Sequence, residues 1–240
     1  MSLNKEPRGM TFAACYQAFD RDFWIEPASA QFANAVFHDE YQINDLRPHN
    51  VRTVVDIGAH VGSFTLLCNH YWPNARIVAV EPHPESFELL ERNTKHIPRE
   101  KLTLINAAVT QKSGRCLLSS PVSHSRVSEY VPDLWNALEP RSGEFGIEVD
   151  SISTEDLWTI LIEEGIEEVD LMKLDCEGAE YAILPDLART GAMPSIGWIR
   201  GEWHCSKQNP ILSSALARTH AFNIDPNLPH EVGLFIAHRM

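Results

Sequence analysis

Four segments carry acidic or polar residues where a buried strand gives way to a turn, and together they outline a chemistry. The first, Val54-Val55-Asp56-Ile57-Gly58-Ala59-His60-Val61-Gly62-Ser63-Phe64, runs from an apolar strand through an Asp and two glycines into a helix start. In doubly wound sheets, ligands bind at the carboxyl ends of strands near the switch point. Gly58 lets the backbone pass close to a ligand, and Gly62 lets a helix start tightly against the strand. A dinucleotide fingerprint needs Gly-x-Gly-x-x-Gly here, whereas the sequence has Gly58-x-x-x-Gly62. The absent middle glycine is the one that admits a pyrophosphate. An acid at the strand end, Asp56, suits a ligand with an ammonium group, and S-adenosylmethionine has one.

Val78-Ala79-Val80-Glu81-Pro82 ends a second strand in a carboxylate, roughly 20 residues on, where an acid accepts hydrogen bonds from ribose hydroxyls. Asn106-Ala107-Ala108-Val109 ends a third strand and can line an adenine pocket. In the fourth segment, Val169-Asp170-Leu171-Met172-Lys173-Leu174-Asp175-Cys176-Glu177-Gly178-Ala179-Glu180, another strand ends in an acid. Acids at a helix entrance also answer the macrodipole. Asp175 and Glu177, at the strand end and earliest turn, are read as site residues.

Methyl transfer from a sulfonium is an in-line displacement in which alignment contributes ~7–11 kcal/mol in well-oriented systems. An alcohol acceptor needs a base or a metal to remove its proton, and a carboxylate acceptor needs neither. Arg200-Gly201-Glu202-Trp203-His204 follows a buried strand whose end approaches the same rim. His204 is therefore the leading candidate base, with Glu202 orienting it or lining the acceptor pocket. His124 is second, and Lys173 third if burial lowers its pKa. Asp175, Glu202 and His204 offer mixed ligands for Mg²⁺ or a transition ion, but no compact ligand motif marks a metal and none is expected.

The Val-Val-Asp-Ile-Gly-Ala-x-x-Gly opening, Glu81-Pro82 and the Lys173-Leu-Asp175-x-Glu177-Gly178-Ala-Glu180 segment together resemble the FkbM family of class I methyltransferases. The resemblance runs from roughly Asp45 to Ala237. Its first motif is shared by many methyltransferases, while the Lys-x-Asp-x-Glu-Gly-x-Glu segment is far more distinctive. The resemblance implies a Rossmann-like, seven-stranded sheet, S-adenosylmethionine as donor, and methylation of a hydroxyl or carboxylate oxygen. It implies Glu81 on the ribose, Asp56 and Gly58 at the methionine end, Asn106 and Ala107 on the adenine side, and Asp175 beside sulfonium and acceptor. Ala59, His60, Gly62, Ser63, Phe64, Pro82 and Glu177 complete the expected cofactor set. His60 stands where the family usually carries Asn.

Buried strands must position these residues. From Val51 onward, short β-branched runs alternate with amphipathic segments. Strands are expected at 51–57, 76–81 and 102–109, with helices over 62–71 and 84–95. Apolar rather than alternating strands argue a parallel sheet covered on both sides. Thr110–Pro140, rich in Ser and Pro, reads as a β excursion and a long loop of functional character. Further strands are expected at 145–152, 169–175, 196–203 and 231–237, the last antiparallel at an edge. Helices are expected from a Ser153 cap to about Gly165, over 179–189, and over 209–220. The expected fold is α/β, doubly wound and mostly parallel. A methyltransferase domain over 51–240 follows an N-terminal helical extension over 1–50 that packs on the sheet or forms an oligomer contact.

Hydrophobic residues make up 44% of the 240, enough for a substantial core and against pervasive disorder. With 20 Lys+Arg against 33 Asp+Glu, the charge of −13 makes duplex nucleic acid a poor partner. Five scattered cysteines without a CxxC pair indicate free thiols in a reducing compartment. No run approaches the ~18 apolar residues of a membrane span, and no signal core opens the chain, so a cytoplasmic protein is expected. The expected acceptor is a small molecule, a sugar or a natural product. Two rival readings are a nicotinamide-dependent oxidoreductase, which the missing glycine opposes, and a non-catalytic binding scaffold, which the acidic strand ends oppose.

Overall fold

The structure, a computed structural model, describes residues 13–119, 126–127, 146–224 and 232–240. It begins with a hairpin of β1 (Ala14–Ala18) and β2 (Arg21–Ile25), closed by Phe19 and Asp20. Both turn residues have positive φ (52° and 61°), the geometry that matches the twist of a two-residue hairpin. Helix α1 (Ala30–Phe37) follows. The expected helical extension is thus corrected: its described part pairs a hairpin with one helix. The alternation that buries Phe23 and Ile25 is too short to separate strand from helix by period.

The expected β-α rhythm follows in β3 (Thr53–Ile57), α2 (Ser63–Tyr71), β4 (Arg76–Val80), α3 (Pro84–Thr94) and β5 (Leu102–Ile105). The third of these strands stops short of the expected 109. Asn106 turns its amide onto the carbonyls of Glu81 (2.8 Å) and Pro82 (3.2 Å), and β6 (Ala108–Thr110) starts a different sheet. Asn106 marks the change of sheet, but the apolar residues on either side of it read as one strand. The second sheet adds β7 (Gly114–Ser119), β8 (Arg126–Val127) and β9 (Ile147–Ser153), the β excursion expected of the middle segment. His124 lies outside the described residues.

Next come α4 (Thr154–Glu163), β10 (Val169–Leu174), α5 (Glu180–Thr190), β11 (Ile196–Trp203), α6 (Asn209–Leu216), β12 (His220–Ile224) and β13 (Gly233–Arg239). Ser153 caps α4, its hydroxyl accepting the Asp156 N–H at 3.0 Å. His220 opens a strand rather than closing the preceding helix. Its ring Nε2 lies 3.0 Å from the Ile196 carbonyl, which favours the extended edge position.

The central sheet has seven strands in the order β12-β13-β11-β10-β3-β4-β5. All neighbours are parallel except where β13 pairs antiparallel with β11 and β12. Val54, Ile77 and Leu171 pack with Phe64 and Leu67 of α2, while Val55, Val78 and Met172 pack with residues of α4, α5 and α6. Helices on both faces make the fold a doubly wound α/β sheet, which is why its strands read as apolar throughout. Strand order reverses between β3 and β10, whose ends are in register at Asp56↔Lys173 and Ile57↔Leu174. That reversal opens the crevice in which such sheets bind ligands. Among the described residues, no helix is long and apolar enough to cross a membrane.

Candidate active site

Beyond the ends of β3 and β10, two turns meet back to back. Gly58 has φ +77°, and a Cβ there would stand 1.8 Å from the Asp175 carbonyl oxygen. Only glycine allows that approach. Lys173 reaches across the same junction from a side chain that is almost wholly buried. Its Nζ donates to the Gly58 carbonyl at 2.6 Å and lies 3.4 Å from Asp56 Oδ1 and 3.8 Å from Asp175 Oδ2. Burial works to lower its pKa, but the charges of Asp56 and Asp175 raise it above the ordinary lysine value. Lys173 is therefore a fixed cation, not the neutral amine that a base would require. Asp56 is fully buried, and its Oδ2 accepts the Thr65 hydroxyl at 2.7 Å. The ammonium facing Asp56 belongs to the protein itself.

A cavity of about 310 Å³ opens over this junction. From the first turn it is lined by Gly58, Ala59, His60, Ser63 and Phe64, and from the neighbouring strand ends by Glu81, Pro82 and Ala107. Asp175, Glu177, Glu202 and His204 complete the expected residues on its wall. Asp56, Gly62 and Asn106 are not on it. Gly62 packs α2 against α3, where a Cβ would come within 2.8 Å of Leu90 Cδ1. Asn106 braces the Glu81-Pro82 turn from outside through the two carbonyls already described.

Glu81 is buried and accepts the backbone N–H groups of His60 and His83, each at 2.8 Å. Burial pushes its pKa up to about 7 against the opposing pull of those two N–H groups. His60 adopts φ 51°, a left-handed conformation that Asn, Asp and His tolerate best, and so delivers its N–H to Glu81.

His204 is buried and held at its inner nitrogen. Nδ1 lies 2.9 Å from Glu180 Oε1, which also accepts the His204 backbone N–H at 3.1 Å. Glu180 is itself fully buried, and its Oε2 accepts the Gly178 N–H at 2.9 Å. The other nitrogen, Nε2, faces Glu202 Oε2 at 3.4 Å, Asp175 Oδ1 at 3.7 Å and Glu177 Oε2 at 3.7 Å. Burial would lower the His204 pKa, but the charge of Glu180 and those of the other carboxylates raise it well above the usual histidine value. Burial raises Glu202, reinforced by the charge of Asp175. Asp175 is lowered despite its burial, because Lys173 and His204 bring positive charge and Tyr41 donates a hydrogen bond.

Sequence reasoning missed three members of this group. Glu180 was assigned to the preference of helix starts for acids, although its place in the distinctive segment was the available signal. Tyr41, whose hydroxyl donates to Asp175 Oδ2 at 2.6 Å, is 134 residues away in sequence and no local pattern marks it. Glu40 also lines the cavity, its pKa pushed up to about 7 by burial and then by the charges of Glu202 and Asp175. Trp203, beside His204, belongs to the core at 1% exposure.

Acid-ended strands at the switch point of a seven-stranded, mostly parallel sheet define a Rossmann-like α/β protein. The chain belongs to the FkbM methyltransferase family, since its residues 56–209 match the methyltransferase FkbM domain. It is 31% identical over 191 residues to methyltransferase sdnD of Sordaria araneosa, covering 67% of this chain and 70% of that protein. It is 25% identical over 150 residues to the hexuronic acid methyltransferase AglP of Haloferax volcanii. That match covers 62% of this chain and 54% of AglP, so the chain spans about half of that relative. Among solved structures it is similar to precorrin-6y C5,15-methyltransferase of Geobacter metallireducens (14% identity, TM-score 0.46, covering 87% and 88% of the two chains). It is also similar to the human methyltransferase 10 domain containing protein (11% identity, TM-score 0.48, covering 88% and 82%).

Proposed function

We propose that this protein transfers a methyl group from S-adenosylmethionine to a hydroxyl or carboxylate oxygen of a small-molecule, sugar or natural-product acceptor. The observation that carries the reading is that the expected cofactor turns and the Asp175, Glu202 and His204 group share one cavity. When bound, the cofactor supplies an electrophilic methyl group on a sulfonium. The residues present suit it. Each Glu81 carboxylate oxygen already accepts one backbone N–H, and lone pairs remain for ribose hydroxyls. Pro82, Ala107 and Val109 offer an apolar wall for adenine. Asp175 and Glu177 bring negative charge to the side where a sulfonium would lie. Asp56 acts at one remove, by fixing Lys173 and through it the Gly58 carbonyl.

On the acceptor side, Glu180 holds His204 by Nδ1 and leaves Nε2 toward the cavity. Glu202 Oε2 lies 3.4 Å from that nitrogen. As the methyl group is transferred, the O–H proton of a hydroxyl acceptor passes to the Glu202 carboxylate beside the charged His204, and then to solvent. An acceptor rich in hydroxyls suits a wall with Glu40, Glu177 and Glu202, and the sugar acid in the name of AglP is the kind of molecule to screen first.

The test is titration calorimetry with S-adenosylhomocysteine, with NAD as control. Saturable binding of the former alone, weakened at least tenfold in Glu81→Ala, supports the reading. No binding by folded protein overturns it in favour of a scaffold. Turnover in His204→Ala should fall about 100-fold or more, with S-adenosylhomocysteine affinity within about twofold of the parent. Full activity in that variant removes His204 from the chemistry.

A further inference from the structure

We infer that Asp175, Glu202 and His204 bind one divalent cation, whose open positions receive the acceptor oxygen. The inference rests on reading the cavity as a methyl-transfer site and refines the part His204 plays there. One ligand atom from each of the three residues lies within 4.8 Å of the others. Nε2 stands 3.4 Å from Glu202 Oε2 and 3.7 Å from Asp175 Oδ1. A charge-assisted hydrogen bond would draw nitrogen and oxygen to about 2.7–2.9 Å. Atoms bound to one ion at about 2.1 Å lie about 3–3.5 Å from each other. The Glu202 separation falls in that range and the Asp175 separation just outside it, so one ion can reach all three with small side-chain adjustments.

The imidazole supplies an observation of its own. The His204 side chain is 3% exposed, yet its Nε2 is directed at the cavity while Nδ1 is engaged by the buried Glu180. A histidine that donates one ring N–H to a carboxylate and presents the other nitrogen is the arrangement found around protein-bound metal ions. Tyr41 occupies Asp175 Oδ2 and leaves Oδ1, the oxygen nearer His204. Charge points the same way. Glu40, Asp175, Glu177 and Glu202 share the wall, and Lys173, which donates to the Gly58 carbonyl and lies 3.8 Å from Asp175 Oδ2, offsets only part of their charge. A dication would balance them and allow an acceptor oxygen to become negative there. Two carboxylates and one imidazole with positions left for water suit a first-row divalent ion such as Mn²⁺. As the ion binds, the Nε2 proton leaves to solvent. His204 then acts on the acceptor through the ion: the oxygen joins the ion, and its own proton leaves to water.

The experiment is Mn²⁺ titration of chelator-stripped full-length protein, read by electron paramagnetic resonance and calorimetry, with S-adenosylhomocysteine binding measured in the same samples. One Mn²⁺ per chain is expected, with affinity at least tenfold weaker in both His204→Gln and Glu202→Gln and S-adenosylhomocysteine affinity within about twofold of the parent. No saturable binding of Mn²⁺, Mg²⁺ or Zn²⁺ by protein that binds S-adenosylhomocysteine overturns the inference. Binding undiminished in both variants does so as well. Failure of the parent protein to bind S-adenosylhomocysteine overturns the methyl-transfer reading alone, because the Mn²⁺ signal is read independently.

Discussion

Glu81 and His204 carry the pH behaviour expected of the site, and for folding they carry it in the same sense. Glu81, with a pKa of about 7, is ionised above neutrality and then accepts hydroxyl donors on both oxygens. Below that value it is protonated and gives up part of this capacity. Affinity for S-adenosylhomocysteine should therefore fall several-fold as pH drops from about 8 to about 6, and Glu81→Gln should bind weakly without that slope. Calorimetry across this range checks both. The sign for folding is the reverse: a carboxyl raised by burial contributes its stability below the ordinary glutamate pKa and loses it as pH rises through about 7. His204 is raised as well, so the charged form of the imidazole persists above its ordinary range. The stability it contributes is present below the ordinary histidine pKa and is lost only as pH climbs past the raised value.

Strand ends and turns were the part of the molecule most legible in the sequence. β3, β4 and β10 stand where buried apolar runs predicted them, because strands covered on both faces have no polar side to blur the signal. The same feature hid the end of β5, where apolar residues flank Asn106 on both sides although the chain changes sheet there. Ser153 was readable as a cap because its hydroxyl needs only a donor three residues away. Ser153→Ala should lower stability by about 1 kcal/mol in chemical denaturation. Tyr41 and the Glu180–His204 pair were not readable, since contacts made across the fold leave no local period. At the crevice, Gly58→Ala would set a methyl group 1.8 Å from the Asp175 carbonyl oxygen at positive φ. A loss of about 3 kcal/mol or more is expected in urea unfolding, with weakened S-adenosylhomocysteine binding even below the unfolding midpoint.

At the scale of the whole molecule, Asn93 fastens the leading hairpin to the cofactor turn. Its Oδ1 accepts the Trp24 N–H at 2.7 Å, and its Nδ2 donates to the Trp24 and Val61 carbonyls at 2.8 Å each. Asn93→Ala strands those backbone groups, and a cost of about 2–4 kcal/mol should appear in urea denaturation. Hydrogen exchange should show β2 opening before the central sheet does. The segment after that hairpin brings Phe32, Val36, Glu40 and Tyr41 to the cavity, whereas the FkbM match begins only at residue 56. The back-to-back turns at Gly58 and Asp175 have a consequence for descent. A lineage that gains a side chain at position 58 must also displace the peptide at 175, so position 58 stays glycine for as long as the second turn keeps its backbone path. The wall drawn from residues 32–41 is tied to the crevice through the Tyr41–Asp175 hydrogen bond, and related proteins can change Val36 and Glu40 to suit new acceptors while Tyr41 and the crevice stay as they are.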